Sequence, residues 1–83
     1  MTFNQLMAWV MSLDSGFIEI RKDGITKAMI IHIAFNFNGT HWCADYAVTR
    51  AEMLMARESV DDMLSARFDM IKQKFDEMVA GTQ

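Results

Sequence analysis

The sequence lacks most of the fasteners of a small secreted domain. Its single cysteine, Cys43, cannot form an internal disulfide, and secreted domains of this size usually rely on disulfides or metals. No stretch reads as a signal peptide, and no apolar run approaches the ~20 residues of a membrane-spanning helix. The longest candidate, residues 28–37, is interrupted by His32 and Asn36. These absences point to a cytoplasmic protein with no membrane partner. Glycine-rich phosphate loops, Cys-x-x-Cys pairs and His-Glu-x-x-His segments are missing too. Basic residues are scarce: eight Lys and Arg against eleven Asp and Glu give a formal charge of −3. Phosphate backbones reward concentrated positive charge, so nucleic acid is not the expected partner.

Apolar residues, by contrast, make up 52% of the 83 residues, and nine are methionines. A chain of this length forms one domain, here 1–83, with one modest core. Some of the apolar surface is therefore expected to be buried against another chain.

Two turn signals organise the centre of the sequence. Asn38-Gly39 suits a two-residue type I′ turn, whose central residues both need positive φ. Pairing Phe37 with Thr40 sets Phe35 opposite Trp42, Ile33 opposite Ala44, Ile31 opposite Tyr46 and Met29 opposite Val48. That face is apolar except at Thr40. The other face carries Asn36–His41, Ala34–Cys43, His32–Asp45 and Ile30–Ala47. Asp23-Gly24 reads as a second turn of the same kind, pairing Lys22 with Ile25, Ile20 with Lys27 and Ile18 with Met29. Both turns assign Ile18 and Ile20 to the apolar face, which predicts a three-stranded antiparallel meander of strands 17–22, 25–37 and 40–48.

Helices flank the meander. Thr2 and Gln5 form a capping-box pattern, and Phe3, Leu6, Met7 and Val10 recur at helical spacing, predicting a helix over 3–13 that Asp14-Ser15-Gly16 stops. Thr49 and Glu52 repeat the capping box before a segment free of proline and glycine, predicting a helix over 50–79. Met53, Ala56, Val60, Leu64, Phe68, Ile71, Phe75 and Met78 form its apolar stripe. Gly81 ends the pattern, and Gly81-Thr82-Gln83 is expected to fray. The fold class is α+β, in the order α-β-β-β-α.

A straight helix of that length would reach about 45 Å at ~1.5 Å per residue, beyond what three strands cover. Either it breaks near Ser59, where Ser59-x-x-Asp62 repeats the capping pattern, or its distal half pairs with a partner. The second solution is favoured and implies a homodimer seam of Leu64, Phe68, Ile71, Phe75 and Met78. Whether the first helix covers the mixed sheet face stays open. Met53, Met55, Met63, Met70 and Met78 are expected to fill a core or that seam, with an adaptable groove as the other reading.

His32 and Asp45 face each other across the second hairpin, with His41 and Cys43 on the same side. Carboxylate–imidazole pairing can support base chemistry, and His32, Asp45 and His41 could bind a metal weakly. No strong nucleophile sits beside the pair, and no third ligand has the spacing of a known metal motif. No catalytic, cofactor or metal residue is therefore assigned. The mixed face, with Phe17, Ile30, His32, Ala34, His41, Cys43 and Asp45, is instead the expected partner surface. Asp61, Asp62 and Asp69 add an acidic surface suited to a basic partner.

The resulting expectation is a non-catalytic protein-binding module that works by occlusion. In size, acidity and hairpin-plus-helix layout the chain resembles small acidic phage proteins that inhibit host defence machinery, anti-CRISPR proteins among them. That resemblance implies an inhibitor and carries no site residue with it. The first alternative is a nucleic-acid-binding regulator using the first hairpin, with Arg21, Lys22 and Lys27 around its turn, or the sheet face. The second is a small enzyme built on His32, Asp45 and Cys43.

Overall fold

In the computed structural model, which describes residues 1–81, the chain runs α1 (Phe3–Met11), β1 (Phe17–Lys22), β2 (Met29–Phe37), β3 (Thr40–Val48), α2 (Arg50–Ala56), a 3₁₀ turn at Arg57–Ser59, and α3 (Val60–Gly81). The strands form one antiparallel sheet in the order β1-β2-β3. The fraying expected of the tail falls, for Thr82 and Gln83, outside the described residues.

The second hairpin follows its turn chemistry. Asn38 and Gly39 take φ of 51° and 76°, and Phe37 pairs with Thr40. Every cross-strand pair expected of this hairpin is present, from Phe35–Trp42 to Met29–Val48.

The first hairpin corrects the expected register. Lys22 pairs with Met29, not Ile25, and Ile20 and Ile18 face Ile31 and Ile33, not Lys27 and Met29. Asp23-Gly24 does not form the two-residue turn. The Asp23 carboxylate instead accepts hydrogen bonds from the Thr26 N–H at 2.7 Å and the Thr26 hydroxyl at 2.6 Å. The loop closes where the Asp23 N–H donates to the Ala28 carbonyl at 2.9 Å, with Lys27 at φ 62°. An aspartate that bonds its own loop competes with the tight turn. The Thr26 donors also hold the Asp23 carboxyl below its ordinary pKa. The strand partner moves from residue 25 to residue 29, an even step, so no side chain changes face.

Both long helices pack on the same face of the sheet. Leu6 and Val10 from α1, Ile31, Ile33, Phe35 and Val48 from the strands, and Phe68, Ile71 and Phe75 from α3 form one buried cluster. Thr2 caps α1 with the full reciprocal box to Gln5. The helix stops at Met11, two residues before the expected end at 13. The Met1 amino group lies 2.8 Å from both Ser65 Oγ and Asp69 Oδ1, tying the start of α1 to α3.

The long helix is broken, and the break corrects the expected self-interface. It falls at Arg57, where φ is 51° and ψ −117°, two residues before Ser59. The chain then turns so that α3 lies over the sheet. Phe68, Ile71 and Phe75 are 4%, 1% and 5% exposed and belong to this chain's own core, not to a seam between copies. Leu64 and Met78 are partly buried against the same core. Arg67 fixes the refolded geometry by donating to the Ala47 carbonyl at 3.3 Å and to the Glu52 carboxylate.

A non-glycine residue in this backbone region costs of order 1–3 kcal/mol, and glycine adopts it freely. Arg57→Gly is therefore expected to stabilise the protein by about 1 kcal/mol after glycine's own entropy cost is subtracted. Thermal unfolding followed by circular dichroism checks this, and a lower midpoint would show that the Arg57 side chain matters more than the strain.

Candidate functional site

Because both helices share one sheet face, the other is left bare. Its middle row is Glu19–His32–Asp45, flanked by Phe17–Ala34–Cys43 on one side and Arg21–Ile30–Ala47 on the other. Alternation along the strands places these residues together, since neighbours two apart share a face. Phe17, Glu19, Arg21, Cys43, Asp45 and Ala47 are exposed, Ile30 and His32 are half-buried, and Ala34 is buried between its strand neighbours. Neither helix covers the mixed face, which answers the question the sequence left open.

A polar network crosses this surface. His32 Nδ1 donates to Asp45 Oδ1 at 2.5 Å, a charge-assisted bond that leaves Nε2 free. The Arg21 guanidinium reaches over the central strand to within 3.9 Å of Asp45 and lies 3.8 Å from Glu19. Phe17 meets the His32 ring edge-on, with centroids 6.1 Å apart. His41 donates through Nδ1 to Asn36 Oδ1 at 2.9 Å.

Of the expected partner-surface residues, Phe17, Ile30, His32, Ala34, His41, Cys43 and Asp45 come together on this face. Asp61, Asp62 and Asp69 do not, because α3 lies on the opposite side of the sheet. Asp61 lines a hollow beside Met1 and Ile20, and Asp69 pairs with the Met1 amino group. Sequence reasoning missed Glu19 and Arg21 as neighbours of the His–Asp pair. The expected register would have set Glu19 opposite Ala28. Thr26, three residues after Asp23, was the available sign that the loop would be longer.

Chemically, this arrangement can present a hydrogen-bonding imidazole, a charged row and small apolar side chains to a flat partner. Among the described residues no three His, Cys, Asp or Glu side chains converge as a metal site would require. The best-formed hollows lie elsewhere, and none is lined by His32, Cys43 or Asp45. An exposed cross-strand pair contributes little to stability, so Asp45→Asn is expected to cost under about 1 kcal/mol in urea unfolding. A cost several times larger would mean that the pair holds the sheet together.

No helix of the described residues is long and apolar enough to cross a membrane. Comparison of the chain with protein-family models, curated proteins and solved structures finds no match.

Proposed function

We propose that this chain is a non-catalytic binding module that recognises another protein through the bare sheet face and acts by occluding it. The observation that supports this reading is that α1 and α3 share one side of the sheet, leaving Phe17, Ile30, His32 and Cys43 without a covering element on the other. The face mixes an aromatic border with small apolar residues and a charged row, and non-obligate interfaces have this balance of apolar and polar surface. A net charge of −3 favours a basic target.

The size, acidity and layout suit a phage-type inhibitor that blocks a host protein or defence complex sterically. An exposed free thiol suits the reducing cytoplasm. The homodimer expected from the helical stripe loses its seam once Phe68, Ile71 and Phe75 are buried in the chain's own core, so the proposed working unit is one chain.

The test is affinity capture from the cells in which the chain is naturally made, with the native protein and two face variants, Cys43→Arg and Ala47→Arg, as bait. Both positions are exposed, so the variants should fold normally. The reading expects a captured protein that both variants lose. Capture unaffected by either variant would reject the face as the binding surface.

A further inference from the structure

A second surface feature lies at the end of the sheet where the first hairpin loop meets α2. The longer loop brings Lys27 back beside Lys22, and α2 starts at Arg50 immediately after β3. Two adjoining hollows open there, of about 270 Å³ and 360 Å³. Lys22, Lys27 and Met53 line both. Ile20, Arg21 and Met29 complete the first, and Arg50 and Leu54 the second.

The charge around these hollows is one-sided. Of the eight basic residues in an acidic chain, three (Lys22, Lys27 and Arg50) line them with no counter-charge, Arg21 touches the border while its guanidinium lies toward Asp45 and Glu19, and no carboxylate lines either hollow. Lys22, Lys27 and Arg50 enter no ion pair among the described residues. The apolar part is only partly covered, since Met29 and Met53 pack against the core from one side. None of the α2 residues is buried, and Leu54 is 61% exposed at the rim. An apolar floor under a cationic rim complements aliphatic side chains flanked by carboxylates. The two floor methionines can reshape to fit side chains of different outline.

We propose that these hollows dock an acidic peptide segment of a partner protein. One or two aliphatic side chains seat against Ile20, Met29 and Met53, and neighbouring carboxylates face Lys22, Lys27 and Arg50. Nucleic acid is the poorer fit, because no aromatic ring lines either hollow to stack on a base, while the apolar floor suits aliphatic side chains. This site is independent of the bare sheet face, with which it shares only Arg21 at the border.

The experiment is a selection of a random short-peptide library against the immobilised full chain. The leading peptide is then titrated into the labelled protein and followed by nuclear magnetic resonance. The expected peptides combine Asp or Glu with Leu, Ile or Val, and shift the signals of Ile20, Met29, Met53 and Leu54. The double variant Lys22→Glu with Arg50→Glu should weaken binding by about tenfold or more, since like charges then face each other. A glutamate at Arg50 stands in the first turn of α2, where it suits the helix dipole, so the fold should persist. Leu54→Asp is a second, independent variant should the first fail to fold.

Failure to enrich any peptide, enrichment of peptides without carboxylates, or affinity unchanged in the variants would overturn the proposal. So would shifts confined to Phe17, His32 and Cys43, which would return the binding to the sheet face. A single-stranded oligonucleotide that binds the same hollows more tightly than the peptide would replace the acidic peptide with nucleic acid.

Discussion

Gly16→Ala is expected to destabilise the protein by more than about 3 kcal/mol, a severe loss for the addition of one methyl group. A Cβ at this position would stand 1.8 Å from the Val10 carbonyl oxygen and 2.8 Å from its carbon, with the Leu13 carbonyl oxygen at 3.2 Å. These are backbone atoms of the end of α1 and the turn after it, so none can swing aside like the tip of a flexible side chain. The Val10 carbonyl accepts from the Leu13 N–H at 3.0 Å, and the Leu13 carbonyl accepts from the Gly16 N–H at 3.0 Å. Relieving the overlap breaks this turn or moves Val10, whose side chain is fully buried.

A domain of this size has a total stability of roughly 4–12 kcal/mol, so the variant would lose a large share of it. The thermal midpoint should fall by more than about 12 °C. Gly24→Ala is the matched control. Nothing lies within 4 Å of its added Cβ, and its cost should stay within about 0.5 kcal/mol. Equal midpoints for the two variants would show that the approach at Gly16 is looser than described.

Phe75→Ala carries the other large effect, about 3–5 kcal/mol. Phe75 is the residue at which the sheet, α1 and α3 meet. Its ring stands edge-on to Phe35 at 5.1 Å and to Tyr46 at 6.3 Å, and tilted to Trp9 at 5.9 Å. Truncation leaves a cavity shared by the sheet, α1 and α3, and forfeits several aromatic contacts. The burial of this corner also pushes the Tyr46 phenol above its ordinary pKa. Phe75→Leu, which keeps much of the volume, should cost distinctly less.

The same variant separates a core role from a seam role. With Phe75 in the core, unfolding is easier and its midpoint does not change with protein concentration. With Phe75 at a seam between copies, Phe75→Ala would dissociate a dimer, and the native midpoint would rise with concentration.

The contrast between the two hairpins shows what the residues disclosed in advance. Asn38-Gly39 states its turn plainly, because both residues tolerate positive φ and no neighbour competes for them. Asp23-Gly24 has the same appearance, but Thr26 supplies donors that the Asp23 carboxylate captures, and the turn opens into a longer loop. The apolar face was still legible, since the register moved by an even number of residues. The cross-strand neighbours of His32 were not, and so Glu19 and Arg21 entered the candidate site only with the structure.

The helix break had one local signal, the Ser59-x-x-Asp62 pattern two residues beyond it, and nothing at Arg57 itself. Residues 50–79 contain no proline or glycine, and the break falls on Arg57, a good helix former. Burial of Phe68, Ile71 and Phe75 against the sheet outweighs local preference there, a balance that helical periodicity does not reveal. The stripe itself was readable as apolar and its first half as packed on the sheet, while the burial of its distal half on the same sheet was not.

Cys43 offers the most direct test that one sheet face carries the core and the other stands bare. It is the only cysteine, it is exposed, and it lies in the row Phe17–Ala34–Cys43 of the open face. The measurement is its rate of reaction with a thiol-specific reagent in the folded protein, across a wide range of protein concentration. A bare face gives a rate close to that of the chain unfolded in denaturant, unchanged by concentration. A thiol that reacts only as the protein unfolds, or that becomes protected as concentration rises, would put a cover on this face and contradict a bare sheet.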